Sequence, residues 1–68
     1  MLTLNLNMNK QELFQGWIDG IAGAWELAGK EAAYRVYNEI LVAYPLKRFE
    51  AAILGEKVRE KLKEKGIL

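Results

Sequence analysis

Residues 2–8 read Leu-Thr-Leu-Asn-Leu-Asn-Met, with apolar Leu2, Leu4, Leu6 and Met8 alternating with polar Thr3, Asn5 and Asn7. A strict period of two predicts a β-strand over 2–8 with one apolar face. Asn is a poor strand former, so something other than propensity must favour amides on the outer face. No second strand pattern follows. A lone strand leaves its backbone N–H and C=O groups unpaired, and its simplest mate is the same strand of a second copy.

After Asn9 the period changes. Asn9 and Glu12 have the spacing of a capping box opening a helix over 10–28. Leu13, Phe14, Trp17, Ile18, Ile21, Trp25 and Ala28 give it an apolar face. Gly16, Gly20 and Gly23 form a second stripe, read as close helix packing in the core, and Gly29 is the expected stop. A helix over 31–44 carries Ala33, Val36, Tyr37, Ile40, Leu41 and Tyr44 on one side. Pro45 ends it and is placed to open a helical extension over 45–65. That extension has two apolar stripes, Leu46, Phe49, Ala52 and Ile53 against Ala51, Leu54, Val58 and Leu62. No linker or repeat interrupts the chain, so residues 1–68 are read as one domain.

Composition sharpens this picture. With 68 residues the core is small, and such domains usually add a disulfide, a metal or a partner subunit. The chain has no Cys and no His, yet 51% of it is hydrophobic. A homo-oligomer, dimer or higher, is the expected staple. General acid–base work would fall to carboxylates, Lys or Tyr, and no phosphate loop or paired-carboxylate motif appears, so neither enzyme activity nor a cofactor is expected. Lys57, Lys61 and Lys65 beside Glu56, Glu60 and Glu64 read as a solvated face. Net charge is +1, and neither a membrane-length apolar run nor a signal peptide is visible, so a cytoplasmic protein is expected.

The order strand, helix, helix resembles the ribbon-helix-helix family of DNA-binding proteins, of the Arc and Mnt repressor type. The resemblance rests on Thr3-Leu4-Asn5-Leu6-Asn7-Met8, on Gly29-Lys30 and on the stripe Ala32, Val36, Tyr37, Ile40, Leu41 and Tyr44. It implies a mainly α fold with one N-terminal strand, β-α-α plus a C-terminal helix. It further implies an intertwined dimer whose two strands pair antiparallel into a ribbon. Leu4, Leu6, Met8, Val36, Tyr37, Ile40, Leu41 and Tyr44 would then form the dimer interface. Thr3, Asn5 and Asn7 would read base edges of double-stranded DNA in the major groove, and Lys30 would contact phosphate. The implied function is a small sequence-specific transcriptional regulator. Three features depart from the family: a longer first helix, a ribbon without Arg or Lys, and Glu31 at the phosphate-facing helix start.

The alternative, from another class, is a non-enzymatic self-assembling structural or interaction module with no DNA binding. Its support is the apolar excess, the near-zero charge and the glycine stripe. Tyr34, off the main stripe, is the best candidate for contact with another subunit.

Overall fold

The structure, a computed structural model, describes the backbone of residues 2–68 and the side chains of residues 11–68. Among the described residues there are three helices and no strand: α1 spans Leu2–Ala28, α2 Lys30–Ala43 and α3 Arg48–Glu64. The expected β-α-α fold with an intersubunit ribbon is therefore corrected to an all-α chain. Residues 2–8 join α1, and Asn9 lies inside that helix rather than ahead of it. The physical reason lies in the backbone. A single strand has no mate within the chain, whereas a helix pairs its own N–H and C=O groups, and Asn adds little strand propensity to oppose that. The side chains of Thr3, Leu4, Asn5, Leu6, Asn7 and Met8 lie outside the described residues.

Gly29 alone separates α1 from α2. Its φ of 97° is a value that L side chains rarely adopt, and its N–H donates to Trp25 O at 2.8 Å. So short a connection reverses the chain and lays α2 back along α1. Tyr44 ends α2 with its N–H on Ile40 O. Pro45 lies in the connection and does not open α3, which begins at Arg48. The start of α3 is set instead by Glu50, whose Oε1 accepts the Lys47 N–H at 2.9 Å. That is one half of a capping box, since Lys carries no acceptor for the other half. At its far end Gly66 has φ 78°, its N–H donates to Lys63 O, and the Ile67 N–H donates to Leu62 O. This is a Schellman motif, with Ile67 packed on the core as the motif's usual hydrophobic partner.

Helices α2 and α3 each pack against α1. The buried side chains are Ile18, Ile21 and Ala22 of α1, Ala33 and Ile40 of α2, and Leu54, Val58 and Leu62 of α3. Ala22 and Ala33 are both essentially fully buried, and small side chains there let α1 meet its neighbours closely. Phe14, Trp17, Trp25, Val36, Tyr37 and Leu46 ring this core. No polar or charged side chain is buried among the described residues.

Candidate interaction surfaces

The α2 stripe expected at a dimer interface packs within its own chain. Ile40 enters the core, Val36 and Tyr37 pack against it, and Leu41 is half-buried. Tyr44 is stacked at a tilt on Trp17, ring centroids 4.8 Å apart, and Trp17 in turn meets Phe14 at 6.0 Å. Tyr37 Oη donates to Ala51 O at 3.1 Å and so bridges α2 to α3. Lys30 stands exposed at the start of α2 with its Nζ 5.9 Å from the centre of the Tyr34 ring.

Of the two apolar stripes on α3, only Leu54, Val58 and Leu62 with half-buried Ala51 face inward. Phe49 is left 60% exposed and Ile53 is exposed beside it. Val42 of α2 and Leu27 of α1 are more open still, at 87% and 89%. A hydrophobic residue on a surface is ordinary, but several large ones left half or more exposed on so short a chain are a surplus.

The glycine stripe of α1 faces outward rather than into the core, contrary to the expectation of core packing. A Cβ built on Gly16, Gly20 or Gly23 meets nothing within 4 Å, and the helix continues regularly through all three. Leu13 and Leu27 stand on the same side, three residues before Gly16 and four after Gly23.

The side where α1 meets α3 is polar. Lys61 Nζ lies 3.5 Å from Asp19 Oδ1 and Lys65 Nζ 3.2 Å from Glu26 Oε1, while Lys57 pairs with Glu60 at 3.7 Å. Two lysines of the stripe read as solvated, Lys61 and Lys65, thus meet carboxylates of α1. These partners are a third to a half exposed, so each pair contributes on the order of 0.2–1 kcal/mol. Their spacing fixes α3 parallel to α1.

Between α2 and α3 a groove of about 230 Å³ opens, with Ile21 and Trp25 of α1 in its floor. Ala33, Tyr34 and Tyr37 line one side and Gly55, Val58, Arg59 and Leu62 the other. The Tyr37–Ala51 hydrogen bond crosses from wall to wall. The described residues contain no cluster of His, Cys, Asp or Glu able to hold a metal, and none of their helices is long and apolar enough to cross a membrane. No family model, curated protein or solved structure matches the chain.

Proposed function

We propose that this protein is a non-enzymatic helical module that assembles with copies of itself through apolar side chains left on its surface. One observation carries the reading. The folded chain leaves large apolar side chains open to water, Phe49 by 60%, Val42 by 87% and Leu27 by 89%. An interface of standard size buries roughly 800 Å² on each partner. Phe49, Ile53, Val42 and Leu27 supply exposed apolar side chains for such an interface. The chemistry available supports the absence of a catalytic role: the chain has no His or Cys, and no described charged group is withdrawn from water where its reactivity would change.

Sedimentation equilibrium of the full chain tests the proposal. The mass is expected to exceed one chain at micromolar concentration. It should return toward one chain when Phe49→Gln and Ile53→Gln are combined. A mass of one chain at about 100 µM, where even weak specific association is populated, would overturn it. A gel shift with duplex DNA, run alongside, is expected to show no sequence-selective, salt-sensitive complex.

A further inference from the structure

We infer that copies of this chain pair by exchanging α3, each α3 leaving its own α1 and seating on the α1 of a second copy. This rests on the self-assembly proposed above and names how it is carried out. The connection between α2 and α3 holds the key observation. Tyr44 (φ −127°, ψ 131°) and Lys47 (φ −75°, ψ 160°) are already extended. The chain turns back between them at Pro45, where the Leu46 N–H donates to Tyr44 O at 2.8 Å. A hydrogen bond from the third residue to the first closes a γ-turn, and the proline ring, with φ near about −65°, makes it the common inverse form. Opening it takes one dihedral. The Pro45 ψ moves from about 65° to the extended value near about 145°, and proline adopts both. Tyr44, as the residue before a proline, favours the extended region it already occupies. Straightening the connection therefore gives up one hydrogen bond and strains no residue.

Every contact that holds α3 can be remade with a second copy. Leu54, Val58 and Leu62 enter the core, Tyr37 Oη reaches Ala51 O, and Lys61 and Lys65 meet Asp19 and Glu26. Such an exchange costs little, and by itself it adds nothing. A short connection presents α3 to its own α1 at an effective concentration on the order of millimolar, so exchange alone leaves a micromolar solution monomeric. Contacts that the single chain lacks must tip the balance. The exposed apolar side chains supply them, and they stand around the hinge. Val42 lies two residues before Tyr44, and Phe49 and Ile53 lie in the first two turns of α3. When two connections straighten and pass one another, these side chains are the ones brought together across the two-fold axis.

The test uses the full chain, which has no Cys, so introduced thiols report alone. Asp19 and Lys61 face each other between α1 and α3, both partly exposed to solvent. The chain carrying Asp19→Cys and Lys61→Cys is linked with a short bis-maleimide and run on a denaturing gel. With α3 on its own α1 the link closes within one chain, and after exchange it joins two. The two-chain product is expected to predominate in protein refolded at about 100 µM and to give way to the one-chain product at about 1 µM. Either single variant alone should give at most a minor two-chain product. Circular dichroism should show the helical signal of the unaltered chain, since an ion pair at this exposure contributes little. A second variant inserts two glycines between Leu46 and Lys47. The longer connection lets α3 fold back freely, so sedimentation equilibrium should show the dissociation constant raised at least about tenfold with the helical signal retained.

A chain of dimeric mass that yields the one-chain product at every concentration would overturn the exchange of α3 and leave self-assembly standing. Equal two-chain product from the single variants, or a dissociation constant unmoved by the inserted glycines, would overturn the exchange as well. A mass of one chain at about 100 µM would overturn both proposals together. The mass thus reports on self-assembly and the position of the cross-link on the exchange, so the two fail separately.

Discussion

Glycine plays two opposite parts in this chain, and substitution separates them. At Gly66 the backbone sits at φ 78° to form the Schellman turn that seats Ile67 on the core. Gly66→Ala should cost about 1 kcal/mol, because an L side chain is strained there. For a domain of this size that corresponds to a fall of roughly 4–8 °C in Tm, read by thermal denaturation. Gly20 has ordinary helical geometry and open space where a Cβ would stand. Gly20→Ala should therefore stabilise the chain by up to about 1 kcal/mol through helix propensity alone. A loss of stability at Gly20 would mean that this face is covered. Sequence pattern gave the Gly29 stop correctly but placed the Gly16, Gly20 and Gly23 stripe in the core. Spacing shows that small residues share a side, and only packing shows which side is covered.

Helix α3 shows the same division at the level of an element. Its two apolar stripes were both legible, and nothing in their spacing says which one α1 covers. The fold chooses Leu54, Val58 and Leu62, and leaves Phe49 and Ile53 outside. Leu54→Ala should cost about 2–5 kcal/mol, since the side chain is fully buried and leaves a cavity. That is a large share of the roughly 3–10 kcal/mol available to a chain this short, so urea denaturation should show a partly or wholly unfolded variant. At concentrations low enough to keep the chain monomeric, Phe49→Gln should change fold stability by no more than about 0.5 kcal/mol. Equal costs at the two positions would show that both stripes are core. The N-terminal segment was misread because an alternating pattern states only that apolar and polar residues take turns. It holds as a strand where a mate is at hand, and this chain provides none. The second helix and the Gly29 turn were legible because a positive-φ glycine and a regular i, i+3, i+4 stripe have few other solutions. The groove was not, since its lining comes from all three helices and no stretch of sequence contains it; Tyr34, off the main stripe, was its one visible sign.

At the scale of the whole molecule, surface area and stability become one question. A 68-residue chain with no Cys and with eight buried apolar side chains among its described residues has a small core to set against its conformational entropy. If the surplus surface is buried between copies, part of the folding free energy comes from association and must depend on concentration. For a dimer that unfolds as it dissociates, each tenfold rise in concentration adds about 1.4 kcal/mol to the unfolding free energy. Thermal melts between about 2 and 200 µM should therefore shift upward by several degrees. Combining Phe49→Gln with Ile53→Gln removes the apolar contacts but leaves Leu54, Val58 and Leu62 in place, so it should flatten that dependence without abolishing the helical signal. A melting temperature independent of concentration in the unaltered chain would mean that α1, α2 and α3 hold one another without help. The exposed side chains of Leu27, Val42 and Phe49 would then face water in the working state, and the self-assembly proposal would fall.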